Sequence, residues 1–273
     1  MFNTTKTIYS MILDNANILN YKYQVLPNTT LNEKFNITTN IEDDIENPSI
    51  RYFGIGLDYE DMIEDSNVNI DNIRHEPHHS SLFKHAPMIA RKASIGFTSD
   101  EYNKYRLLVR KNINGEDYLF FMLKKIDNIF DSNKILLVES EDNESTISVF
   151  STDRTDILNP VPKERDDVLD SKIDYLAYSN HIFLNLDENE LSELRDASKL
   201  YYGTDDEITL GEVSLVSGIE LFYEGREEAF NTQTMYFIKI NHLLDDNNIQ
   251  EPFRKSVDIG GMSPMVFRTY KND

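Results

Sequence analysis

The residues best suited to chemistry sit in one short stretch. RHEPHHSSLFKHAP, residues 74–87, carries His75, His78, His79 and His85, four of the six histidines in the chain. His75-Glu76-Pro77-His78-His79 has the letters of H-E-x-x-H, in which two imidazoles bind zinc and the glutamate is the general base. That chemistry needs one continuous helix, so that both histidines lie on one face a turn apart. Pro77 stands inside the motif. Its ring clashes with the carbonyl four residues back, it removes an N–H, and it drives Glu76 out of the helical region. A helix can begin at Pro77, but His75 then lies outside it. The sequence offers no clear third ligand either. The expectation is that the segment holds no metal and no cofactor.

A second metal pattern overlaps the first. Asp65, Asn67, Asn69, Asp71 and Glu76 fall at positions 1, 3, 5, 7 and 12 of a calcium loop, but Ile70 occupies position 6, where the sharp turn requires glycine. A contact role suits the segment better. With Arg74, Lys84 and Arg91 it is the one locally basic stretch of an acidic chain, and charge complementarity favours such stretches at subunit contacts. The interface candidates are Arg74, His75, His78, His79, Leu82, Phe83, Lys84 and His85, with Leu82 and Phe83 as apolar anchors.

The rest of the chain contains no Gly-rich phosphate loop, no G-x-S-x-G elbow and no cysteine. The formal charge of −21 over 273 residues disfavours any role that tracks nucleic-acid phosphates. The first twenty residues lack a basic region followed by an apolar run, so the reading is no signal peptide, no membrane span and a protein made in a cytoplasm. Fifteen tyrosines and fifteen phenylalanines supply core and interface.

The elements that would position the histidines read as mainly β. YRLLVRKNINGEDYLFFMLKKI (105–126) is two apolar strands around Asn114-Gly115, a pair suited to a type I′ turn. KILLVES and TISVF form a second hairpin, with Ile147 and Val149 alternating as on a half-buried strand. LDENELSELRDASKLYYG is a helix: Asp187 caps it, Glu190 completes a capping box, Leu191, Leu194, Ser198 and Tyr201 share a face, and Gly203 ends it. VSLVSGIELFYEG is a strand, and TQTMYFIKINHLL fits strand or helix. The fold class is α+β and mainly β, an antiparallel sheet or sandwich with one or two helices and extended arms. Residues 1–100 read as an arm region with short strands and 101–158 as a β-hairpin core. Residues 159–170, with Pro160 and Pro162, read as a linker, and 171–273 as an α+β part packed on the same body.

RYFGIG, HSSLFKHAPMIAR, YRLLVRKNINGEDYLFFMLKKID, NPVP, ITLGEVSLVSGIE and IGGMSP occur in that order over roughly residues 50–265. As a set they resemble the virion structural proteins of large contractile-tailed bacteriophages. Gly211-Glu212-Val213 stands where that pattern has Ser-Glu-Ile, and Asn103-Lys104 where it has an arginine. The resemblance implies a non-enzymatic subunit of the head–tail neck or tail baseplate, found in the virion after assembly in the host cytoplasm. It would dock on other virion proteins and on copies of itself, without nucleic acid or membrane. It carries over no active site. The alternatives are a metal-dependent hydrolase using His75, His78, His79 and His85, or a receptor- or glycan-binding module of the virion surface.

Overall fold

Asn114-Gly115 turns the chain as its sequence predicts. β5 (Tyr105–Ile113) and β6 (Glu116–Lys125) pair antiparallel around it, with φ of 53° at Asn114 and 86° at Gly115. The computed structural model describes residues 4–19, 22–37, 47–59, 73–130, 135–141, 144–151, 174–223, 225–244 and 252–265. The chain divides into two units, each discontinuous in sequence. The first is Met1–Ile126 with Asn185–Arg254, and the second is Asp127–Leu184 with Lys255–Asp273. Both are built on antiparallel sheets with few helices, which is the mainly β class read from the sequence.

The first unit is an eight-stranded sheet. Its spine is β11 (Ile208–Tyr223), which pairs with β12 (Arg226–Leu244) on one side and with β2 (Ser49–Leu57) on the other. TQTMYFIKINHLL, ambiguous in sequence, is therefore strand. β1 (Thr4–Lys6) extends the sheet beyond β12. On the far side β2 meets β6 and the two-residue β3 (His85–Ala86), and β6 also pairs with β4 (Ile89–Lys92). Tyr52, Leu107, Phe120, Met122, Leu123 and Val216 form the centre of the core.

The helix expected after Asp187 is α4 (Glu188–Tyr202). Asp187 accepts from the Glu190 N–H, Leu191, Leu194 and Ser198 are buried, and Gly203 ends the helix at φ 68°. Among the described residues three further helices precede it. They are α1 (Ile8–Ile18), the single turn α2 (Leu31–Lys34) and α3 (Ser99–Lys104). They differ from the expected arm for a physical reason. In α1, Tyr9, Leu13 and Ala16 fall on one face and pack against Met235 of β12. In α2, Asn32 donates to the Ala229 carbonyl and accepts from the Thr232 N–H, tying the turn to β12. The described part of residues 1–50 is a folded cover for the sheet.

The second unit contains β7 (Asn128–Phe130), β8 (Ile135–Glu141), β9 (Glu144–Val149), β10 (Asp174–Leu186) and β13 (Phe253–Met265). Their order is β13-β10-β8-β9, with β7 on β10. The two hairpins read as one core thus fall in different units, and residues 171–273 are shared between both. The linker expected at 159–170 lies outside the described residues. Ile147 and Val149, expected to be half-buried, are 67% and 61% exposed.

Candidate functional site at the histidine turn

Pro77 and His78 form a turn rather than a helix, and the His79 N–H donates to the Glu76 carbonyl at 3.0 Å. The conflict that proline poses in H-E-x-x-H is resolved by abandoning the helix. The turn is pinned from outside as well. The Ile8 N–H donates to the Pro77 carbonyl at 2.8 Å, and the Tyr9 hydroxyl to that of His78 at 2.6 Å.

His75 points inward. Its ring lies between Phe83 and Phe237, nearly parallel to both, with centroids 3.9 and 3.6 Å away. Nε2 is 2.6 Å from Oε2 of Glu212, with side chains only 5% and 4% exposed. Oε1 of the same carboxylate accepts the Phe83 N–H at 2.8 Å. Nδ1 of His75 lies 3.1 Å from Nδ1 of His79. Burial, with His75 and His78 close by, pushes the His79 pKa below its ordinary value.

The glycines of RYFGIG make this packing possible. Gly56 faces Glu212 across β2 and β11, and Gly54 faces Ser214. A Cβ on Gly56 would fall 2.4 Å from Cγ of Glu212, and one on Gly54 within 3.0 Å of the His85 ring. The two glycines are notches, one for the carboxylate and one for a second buried histidine. His85 is 3% exposed, its Nε2 lies 2.9 Å from the Met122 carbonyl, and Phe35 meets its ring edge-on. Burial and the positive charge of Lys34 lower its pKa to about 3, so it is neutral in the folded chain.

The structure divides the interface candidates. His75, Leu82 and His85 are buried inside this chain, and Phe83 is engaged with His75 and Tyr59. As anchors they serve the chain's own core, so a partner would meet the outer face of the segment. Arg74 and His78 are exposed, while His79 and Lys84 are half-buried, with the Lys84 ammonium 5.4 Å from the centre of the Tyr202 ring. The four histidines of the hydrolase reading do not converge. Among the described residues the metal-capable group is Glu76, His78 and His79, and His85 is absent from it. Four residues of the calcium-like pattern, Asp65, Asn67, Asn69 and Asp71, lie outside the described residues.

His75 and Glu212 have the composition of a base and its orienting carboxylate. The hollow beside them, bordered by Tyr59, Arg74, Phe83 and Lys239, has a volume of about 20 Å³, room for a single water. A wider hollow of about 350 Å³ lies at the end of β2, bordered by Asp58, Lys84, Tyr202, Glu207 and Thr209.

Two buried charge clusters were not read from the sequence. Lys124 donates to both oxygens of Glu190 at 2.7 Å and to the Asn185 carbonyl at 2.8 Å. The Tyr105 hydroxyl donates to Glu190 at 3.3 Å, and burial beside that carboxylate raises the phenol's pKa. Arg106, with no exposed surface, binds the Tyr102 and Tyr105 carbonyls and pairs with Glu220 and Glu227. The only signal for them was charge within otherwise apolar strands, as in YRLLV and FMLKK.

No curated protein and no solved structure matches the chain. Residues 2–272, nearly the whole chain, match the family of unknown function DUF7208, and the chain belongs to that family.

Proposed function

We propose that this chain is a non-enzymatic assembly subunit of a tailed-phage particle, in the head–tail neck or tail baseplate. In this role it docks on other virion proteins and on copies of itself after synthesis in the host cytoplasm. The sequence resemblance suggests the setting. The observation that carries the assembly role is the edge of the second unit's sheet. Among the described residues β9 ends the strand order β13-β10-β8-β9. It directs Ile147 and Val149 into solvent. An edge strand with exposed apolar side chains is a template for another chain, and soluble proteins ordinarily guard such edges with charge or proline. In an acidic chain the edge fits a subunit that is soluble alone and completes its contacts on assembly. No helix among the described residues is long and apolar enough to cross a membrane.

Quantitative mass spectrometry of purified particles tests the reading. The expected result is a fixed copy number, a multiple of about three or six per particle, as closed symmetry requires. Ile147→Lys with Val149→Lys should leave the free chain folded and lower its incorporation. Absence of the wild-type chain from particles would refute the proposal.

A further inference from the structure

We infer that the turn Glu76-Pro77-His78-His79 binds a first-row transition-metal dication of the zinc class, with Glu76, His78 and His79 as ligands. One donor atom from each of the three lies within 4.8 Å of the others. Two imidazoles and one carboxylate are a donor set that zinc, nickel and copper accept, whereas calcium and magnesium prefer oxygen alone. A tetrahedral zinc with bonds of about 2.0–2.1 Å spaces its ligand atoms roughly 3.3 Å apart. The remaining gap closes by side-chain rotation, and the side chains of Glu76 and His78, 66% and 71% exposed, are free to rotate.

The fold prepares the site in two ways. The turn's backbone is held at the Glu76, Pro77 and His78 carbonyls, so binding need not order a loop. His79 is oriented from behind, because its Nδ1 lies 3.1 Å from Nδ1 of His75. His75 in turn is fixed by Glu212 and clamped between two phenyl rings. A buried carboxylate and imidazole behind a ligating histidine are the outer partners that metal sites use to set ring orientation. The assignment reverses the roles in H-E-x-x-H. Here Glu76 is a ligand and His75 a positioning residue, and His85 takes no part. Three protein ligands leave a position for water or for a side chain of another chain.

Titrating the full-length, untagged chain with zinc chloride in a calorimeter tests the site. One ion per chain is expected. His78→Ala and Glu76→Gln should each weaken binding at least tenfold, and both positions are exposed enough to leave the fold intact. Glu212→Gln should weaken it about tenfold through the lost support of His75 and His79. His85→Gln should leave it unchanged. Cobalt in place of zinc should give the visible absorption of a tetrahedral ion, lost in His79→Ala. The assignment is overturned if the wild-type chain shows no saturable binding up to about 1 mM zinc. It is equally overturned if binding survives replacement of Glu76, His78 and His79 together.

Discussion

Two buried histidines of one segment are held in opposite ways. His75 meets a carboxylate, with Glu212 at 2.6 Å, and two rings cover its faces. His85 meets a backbone carbonyl and a nearby lysine, and its second ring nitrogen, Nδ1, has no hydrogen-bond partner. The same strand accommodates both, through Gly56 for the first and Gly54 for the second. A buried polar side chain is tolerated when its partner is of the right kind, and the kind of partner decides what its removal costs.

The largest expected effect follows from removing the buried carboxylate. Glu212→Leu leaves His75 without its carboxylate and the Phe83 N–H without an acceptor. Each of these two buried donors, left unsatisfied, costs about 1–3 kcal/mol. The equivalent change at the other histidine, His85→Leu, orphans one carbonyl and should cost about 1–3 kcal/mol. Urea denaturation of both variants measures the difference. Equal losses would mean that the two hydrogen bonds to Glu212 contribute no more than the single one at His85.

Next in size is the notch. Gly56→Ala places a methyl group 2.4 Å from Cγ of a side chain that two hydrogen bonds hold in place. Overpacking of this kind costs about 1–3 kcal/mol. With Glu212→Gly in the same chain, the combined loss should be smaller than the sum of the two single losses, because the overlapping volume is emptied. An additive double mutant would show that the two residues do not compete for the same space.

How far these contacts could be read from sequence depends on their range. The 105–126 hairpin and the α4 helix were legible, because a turn dipeptide and a capping box act over a few residues. α1 was obscured by Asn15 and Asn17, weak helix formers, although Tyr9, Leu13 and Ala16 have the spacing of a helix face. The histidine cluster was legible as composition only. Its reading turned on Pro77, which correctly argued against a helix. The partner of His75 was not legible, since Glu212 is 137 residues away and one acid among many. Gly54 and Gly56 stand two residues apart in RYFGIG. Their purpose depends on register with β11, and strand register is a long-range property.

A pH series sharpens the comparison further, with a moderate effect. His85 has a pKa of about 3 when folded against 6.5 for the free side chain. Above pH 6.5 both states are neutral and its contribution to stability is complete. As pH falls below that value, the unfolded chain binds a proton that the folded chain refuses. Stability therefore declines with acidification until the folded pKa is reached. Between pH 6.5 and about pH 5 the decline from this group alone is about 2 kcal/mol. His85→Gln keeps a donor for the Met122 carbonyl and removes the proton uptake. Unfolding free energies across that window should fall less steeply for the variant, and parallel slopes would mean that His85 titrates alike in both states.

The smallest effect lies on the outer face of the same turn, where it separates packing from binding. Glu76 and His78 approach at 3.3 Å with both side chains mostly in water. A surface substitution of this kind changes stability by no more than about 0.5 kcal/mol, so His78→Ala should unfold with the wild type in metal-free buffer. Zinc should then divide them. An ion that binds only the folded state, at about 100 times its Kd, stabilises the wild type by about 2.7 kcal/mol. The variant, its affinity reduced, should gain measurably less at the same concentration. Identical zinc responses would mean that His78 contributes to neither the fold nor the ion. A loss already present without zinc would place His78 in the same structural role as the buried His75, despite its exposure.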